Sequence, residues 1–254
     1  TTTVRASVGN YLVAQYISTH SDAKVIFNGD GSDELTGGYM YFHNCPNDIE
    51  FDFECKRLLN QIHHFDGLRS DRTISCHGLE ARTPFLDRSF VHTYLSIPPH
   101  IRNHNNNKTI EKYLLRQSVQ EMDADLLPPE VLWRTKEAFS DGVSSTQNSW
   151  FKIIEEHVKE MVSLGTLYTE MDNYTVNKPT TCEQLYYRRI FDEHYKFHHN
   201  VIPHFWMPKY THANDSSART LNIYTEKMEK KQKTEKEENE NEENENEENE
   251  NEEN

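Results

Sequence analysis

Apolar residues in the first twenty positions recur at helical spacing: Val4, Val8, Leu12 and Ile17, with Tyr11 and Tyr16 alongside. This pattern predicts a helix over residues 4–20. It then changes character, because residues 24–27 (KVIF) are short, apolar and β-branched, the signature of a buried parallel strand. Helical rhythm returns over 48–65 through Ile49, Phe53, Leu58, Leu59 and Ile62, and again over 66–76, with a stop near Gly78. Residues 108–120 are amphipathic through Ile110, Tyr113 and Leu114, and 147–163 and 182–199 are further helix candidates. Pro128 and Pro129 precede one more helical turn. No second convincing strand follows the first. The expected class is therefore α/β, mostly helical with at least one strand. A lone strand has nothing to pair with, so the rest of the sheet is expected from sequence outside this chain or from another chain.

Directly after the predicted strand the chain reads NGDGSDELTGGY, with four of its nine glycines between Gly29 and Gly38. In open α/β sheets ligands bind beyond the carboxyl ends of strands. Gly29 and Gly31 permit backbone conformations that other residues resist and let main-chain N–H groups approach a ligand. On its own this turn is a weak signal for phosphate, because glycine-rich strand-to-helix turns also arise for packing reasons.

Composition changes the picture in two places. Residues 237–254 carry eleven glutamates and no positive charge; without them the formal net charge of −15 becomes −4. That stretch has nothing apolar to bury and its charges repel, so a solvated tail from 226 to 254 is expected, beginning with a Lys/Glu-rich linker. The folded part, 1–225, is only mildly acidic. Cys45, Cys55, Cys76 and Cys182 form no CxxC pair. With no signal-peptide pattern and no apolar run long enough to cross a bilayer, a reducing, cytoplasmic location and no membrane association are expected. The chain starts at Thr1 without Met, which suggests a piece of something longer.

Four stretches in order, SDELTGGYMYFHNCP, GLEARTPFLD, WRTKEAFSDG and WMPKYTHANDSSARTL, resemble the synthetase domain of glutamine-hydrolysing asparagine synthetases of the eukaryotic type. The resemblance covers residues 1 to about 221. It implies an adenine-nucleotide alpha-hydrolase-like parallel-sheet domain. It implies ATP-dependent amide formation: aspartate is activated as β-aspartyl-AMP with release of pyrophosphate, and glutamine-derived ammonia then displaces AMP. ATP and Mg²⁺ are the implied cofactors, and aspartate, ATP and ammonia or glutamine the small-molecule partners. A homodimer would form through an N-terminal domain that this stretch lacks. The resemblance places Asp33 at Mg²⁺ and pyrophosphate, and one carboxylate plus substrate phosphates is the usual Mg²⁺ arrangement. By position alone Asp33 would cap a helix starting at residue 34 or 35. Lys136 matches a lysine that steadies the phosphoryl group and adenylate; without its motif it would read as a solvated surface lysine. Asn28, Gly29, Gly31 and Ser32 match the nucleotide-binding loop, and Thr2 and Arg5 match a stretch near the phosphates, with a plain helix start as their alternative.

Two departures bear on activity. The family loop reads SGEGSDE; here Asn28 replaces serine and Asp30 replaces the glutamate that acts with the intermediate and incoming ammonia. Asp30 is one methylene shorter, so the expectation is retained adenylation with an impaired ammonia step. The upstream SGGLDS-type pyrophosphate loop and the glutaminase with its N-terminal cysteine are absent from this sequence. The rival reading is a non-catalytic remnant or interaction module, and a third is another ATP-dependent amide ligase such as a β-lactam-forming relative, which the WMPKY…SARTL ending opposes. His194 and His198, four apart, would share a helix face as in a zinc site, but polar histidines at a helix end are the expectation. Arg69, Arg72, Arg82, Arg88 and Arg102 lie among acids without an aromatic-basic repeat, so no nucleic acid is expected. Phe85 to Asp87 is expected to be structural, with Asp87 starting a helix.

Overall fold

The computed structural model describes residues 2–106, 108–144, 148–201, 203–213 and 215–226. Of the expected tail, 226–254, all but Glu226 lies outside them. Helix α1 (Thr2–His20) leads into strand β1 (Val25–Phe27), then α2 (Ser32–Thr36), α3 (Asp48–Gln61) and α4 (Asp66–Ser75). Strand β2 (Glu80–Arg82) follows, then α5 (Arg88–Ser96), α6 (Pro99–Arg102), α7 (Tyr113–Met122), α8 (Pro129–Leu132) and α9 (Phe139–Gly142). Helices α10 (Trp150–Met161), α11 (Leu164–Glu170) and α12 (Cys182–His194) complete the described order, with short 3₁₀ turns between.

The expectation of a lone strand is corrected. β1 and β2 pair in parallel, with Val25 opposite Glu80, Ile26 opposite Ala81 and Phe27 opposite Arg82. Glu80 N donates to Lys24 O and Asn28 N to Arg82 O, both at 2.8 Å. Glu80–Arg82 reads EAR, with no apolar run to signal a strand, and its conformation follows from docking beside β1. Nor is β1 buried on both faces: Phe27 is 84% exposed and Val25 half exposed, because a two-stranded sheet leaves one edge of each strand and part of each face uncovered.

Helix starts follow local chemistry. Asn47 accepts from Glu50 N at 3.0 Å to cap α3, and Asp87 accepts from Ser89 N and Phe90 N to cap α5, as its sequence predicts. The helix predicted over 108–120 begins later, at Tyr113, because Lys112 adopts a left-handed conformation with φ 62° at its N-cap. Helix α12 ends at His194, so His198 lies beyond it and the two histidines do not share a helix face.

The central core joins distant segments. Met40, Tyr41, Phe42, Phe51, Cys55 and Leu58 pack with Leu221 and Tyr224. Val158, Val162, Leu167 and Leu185 bind α10, α11 and α12 together. Ala14, Ile74 and Leu79 join α1, α4 and the entry to β2. Two of the recognisable stretches meet directly: Ser217 Oγ donates to Asp141 Oδ1 at 3.2 Å, and Arg219 Nη2 donates to Ser144 O at 2.8 Å.

Arg5, 3% exposed, ties α1 to α12 and to the C-terminal segment. Its guanidinium donates to both carboxylate oxygens of Glu183 and of Asp215, the latter at 2.7 and 2.9 Å. Burial disfavours the Asp215 carboxylate, but the hydrogen bonds and charge of Arg5 outweigh it and hold the carboxyl below its ordinary range. A buried carboxylate, Glu183, and a half-buried one, Asp215, thus depend on one cation. Arg5→Met is expected to destabilise the chain by roughly 3–5 kcal/mol, the usual cost of stripping one partner from a buried pair, as measured by urea unfolding. A loss below about 1 kcal/mol would mean that these carboxylates are solvated.

Candidate functional site

The turn after β1 is built from its own side chains. Asn28 Oδ1 accepts from Asp30 N at 3.0 Å, and Asn28 Nδ2 donates to Ser70 Oγ at 2.7 Å. Gly31 has φ 91° and caps α2; a Cβ there would also lie 2.3 Å from Leu86 Cδ2, so conformation and space both require glycine. Leu86, in TPFLD, therefore packs under the turn. The alternative reading of Asp33 as a helix cap does not hold, since α2 begins at Ser32 with Gly31 as its cap.

Asp33 is instead the centre of an ion triad. Its Oδ1 lies 2.8 Å from Lys112 Nζ and its Oδ2 3.0 Å from Lys136 Nζ. Lys112 Nζ also donates to Ser32 Oγ at 3.0 Å. Burial works against the Asp33 carboxylate, but the ammonium groups of Lys136 and Lys112 overcome it and bring the carboxyl down to about 2. Gly38 makes room for this pairing: a Cβ there would sit 2.3 Å from Asp33 Oδ1 and 2.6 Å from Lys112 Cε.

A second set of charges faces the same space. Glu34 accepts from Tyr39 Oη and is hydrogen-bonded to Asp66. Burial, then the neighbouring Asp66 and Asp33, pushes the Glu34 carboxyl well above its ordinary range. Arg69 bridges Asp66 at 2.5 Å and Asp30 at 3.0 Å. Asp30 also accepts from Asn28 Nδ2 at 3.2 Å and from Ser70 Oγ.

These groups line a cavity of about 140 Å³ formed by Gly29, Asp30, Gly31, Asp33, Glu34 and Lys136, closed by Thr3, Phe139, Ser140 and Trp206. A Cβ added at Gly29 would meet nothing within 4 Å, so the space before the turn is open. The donor set suits an oxyanion: cationic Lys136 and Arg69 around a glycine turn. It also suits a cation that arrives with phosphate oxygens. Asp33 supplies one carboxylate, and among the described residues no group of three or more His, Cys, Asp or Glu is arranged to hold a metal alone. The residues thus fit a magnesium–phosphate pair, with the phosphates providing most ligands.

Of the residues singled out in the sequence, Gly29, Asp30, Gly31, Asp33 and Lys136 come together at this cavity. Asn28 and Ser32 lie under the turn, where the Ser32 amide donates to Gly29 O at 3.3 Å. Arg5 does not line the cavity, being engaged by Glu183 and Asp215. Thr2 begins α1, and its side chain lies outside the described residues. Glu34, Tyr39, Asp66, Arg69 and Lys112 were not among the expected site residues. A signal existed for two of them, since Asp66 and Arg69 stand three apart at the start of a helix.

The asparagine synthase family model matches residues 1–53 and 46–221. The chain is 49% identical over 223 residues to asparagine synthetase [glutamine-hydrolyzing] of Bos taurus, covering 88% of this chain and 39% of that protein. It is likewise 49% identical over 229 residues to the Gallus gallus protein of that name, covering 90% and 40%. The Homo sapiens protein of that name matches at 49% over 223 residues, with 88% and 39% covered. The chain thus spans about two fifths of the length of the curated relatives it matches. No helix among the described residues is long and apolar enough to cross a membrane.

Because the folded Asp33 carboxyl titrates near 2 rather than 3.8, its pairing contributes fully above the ordinary aspartate range and is lost as pH falls through the folded value. Asp33→Asn is expected to cost roughly 2–3 kcal/mol at neutral pH. The gap between the variant and the unaltered chain in urea unfolding should narrow as pH is lowered from about 5 to about 2.5. A gap that does not change with pH would sink the triad as an ionic device.

Proposed function

This chain belongs to the asparagine synthase family, and from that membership and the cavity's geometry we propose that it forms the phosphate-handling part of an asparagine-forming site. The reaction assigned to it is ATP-dependent. A β-carboxylate oxygen of aspartate attacks the α-phosphorus of ATP, and pyrophosphate leaves. Ammonia, glutamine-derived in the relatives' printed description, then attacks the activated carbonyl carbon of β-aspartyl-AMP, and AMP leaves to give asparagine.

One observation carries the proposal: Lys136 and Asp33, remote in sequence, meet at 3.0 Å beside an open glycine turn. In this reading Lys136 holds negative charge on the phosphates as the P–O bond breaks, and the Gly29–Gly31 turn lets backbone approach the leaving group. Asp33 is the protein's carboxylate ligand for Mg²⁺. When bound there, the metal would supply charge neutralisation for the pyrophosphate that leaves. Asp30 accepts a proton from the attacking ammonia; Arg69, Asn28 and Ser70 fix where its carboxylate points. Asn28 and Ser32 act from beneath, keeping the turn's shape, and Arg5 with the start of α1 holds the helix that walls the cavity. The cavity of about 140 Å³ is below the roughly 300–1,000 Å³ usual for a complete small-molecule site. It suits a phosphate and a carboxylate rather than a whole nucleotide.

A second reading, a binding module without turnover, is favoured by one observation. Val8, Leu12, Val13 and Tyr16 on α1 and Phe27 on β1 are large apolar side chains left exposed.

Calorimetric titration with magnesium pyrophosphate separates the two. Binding that Lys136→Met weakens by about tenfold or more supports the site, because a buried charge-assisted contact is worth that much. The same affinity in both proteins favours the module. Where turnover is measurable, Asp30→Glu is expected to raise asparagine formed per pyrophosphate released by up to about 10²-fold, the scale of an ångström misplacement. No change in that ratio would remove Asp30 from the ammonia step.

A further inference from the structure

Lys112 enters the site from a direction unlike that of Lys136. Its backbone stands at φ 62° and ψ 21°, a conformation rare for residues with a side chain, at the start of α7. Strain of this kind persists only where surrounding structure over-determines it. From there the side chain reaches Asp33 Oδ1 at 2.8 Å and Ser32 Oγ at 3.0 Å. Gly38 leaves the space that this approach needs. Lys136 lines the cavity, whereas Lys112 does not. Asp33 Oδ1 is itself buried from solvent and makes no hydrogen bond, so the ion pair with Lys112 is what compensates it. One oxygen of Asp33 is therefore locked inward by Lys112, and only Oδ2, shared with Lys136, faces the space where a ligand would sit.

We propose that Lys112 is a built-in counter-ion that makes metal capture by Asp33 depend on phosphate, resting on the reading of this site given above. With an ammonium group at each oxygen, the carboxylate is over-neutralised and repels a bare divalent cation. A metal that arrives already carrying phosphate oxygens presents less positive charge. Those oxygens attract Lys136 away from Oδ2, freeing that oxygen as a single ligand while Lys112 keeps Oδ1 and the orientation of the carboxylate. Lys112 is a positioning residue: it touches Asp33 and Ser32. The ligand class admitted is a metal–polyphosphate complex, and free metal is refused.

The test uses Mn²⁺ as probe, read from the loss of its free electron paramagnetic resonance signal on the full chain, with and without pyrophosphate. Lys112→Gln removes the charge but keeps a hydrogen-bond donor. It is expected to bind Mn²⁺ alone at least tenfold more tightly than the unaltered chain. The gain should disappear in the double variant Lys112→Gln with Asp33→Asn, which also subtracts weak binding by the glutamate-rich terminus. Unchanged or weaker Mn²⁺ binding in Lys112→Gln overturns the proposal, as does a gain that survives Asp33→Asn. Lys112→Arg keeps the charge and should hold metal-alone affinity within about twofold of the starting value; a larger gain overturns the proposal even if the glutamine variant fails to fold. Asp33→Asn alone separates this inference from the reading beneath it. If it leaves Mn²⁺–pyrophosphate binding untouched, Asp33 is not the metal ligand and that reading fails. If it abolishes that binding while Lys112→Gln gains nothing, only the role of Lys112 falls.

Discussion

The carboxylate of Asp33 sits between two ammonium groups that come from separate parts of the chain, and the site's shape follows from that contact. A buried carboxylate is costly unless it is paired. Pairing it draws the segment before α7 and the segment before α9 onto the turn that follows β1. The turn can receive them because Gly38 carries no side chain and because Gly31 accepts a left-handed conformation over Leu86. Packing and electrostatics are thus the same constraint here. The glycines are where three segments must approach closely, and the charges are what hold them there.

Around that triad the charges are sorted. Lys112, Lys136 and Arg69 stand beside Asp30, Asp33, Glu34 and Asp66, and burial with the neighbouring carboxylates favours a neutral Glu34. Such an arrangement tolerates one incoming anion with its counter-ion better than it tolerates either alone. Asp30 illustrates a cost of this sorting. Arg69, Asn28 and Ser70 all donate to it. A shorter carboxylate gripped from behind has less reach into the cavity than a glutamate would have.

The scaffold behind the site rests on another ionic knot. Arg5 spans Glu183 and Asp215, and Asp141 is held by Ser217 and Arg219. Through these contacts the first helix, the stretch around Lys136 and the C-terminal segment are fixed relative to one another. Phe27 and several apolar positions of α1 remain exposed.

Much was legible before any coordinates. The 3.6-residue rhythm of Val4, Val8 and Leu12 marked the first helix, the KVIF run marked a strand, and the glycine-rich turn marked a place for a ligand. The motif text picked out Asp33 and Lys136, which do meet. Other features carried no local mark. Glu80–Arg82 is a strand because β1 lies beside it, and nothing in EAR favours that conformation. Lys112 looked like one more polar position on an amphipathic helix; its left-handed backbone and its reach to Asp33 exist only once Gly38 and Ser32 are in place. Arg5 lay in a stretch that resembled a phosphate contact, yet Glu183 and Asp215 had claimed its donors. Periodicity and turn chemistry act between near neighbours, so a single sequence shows them. The pairing of a charge is decided by whichever opposite charge folding brings within a few ångströms, and for Asp33, Lys112 and Arg5 that partner lay far along the chain.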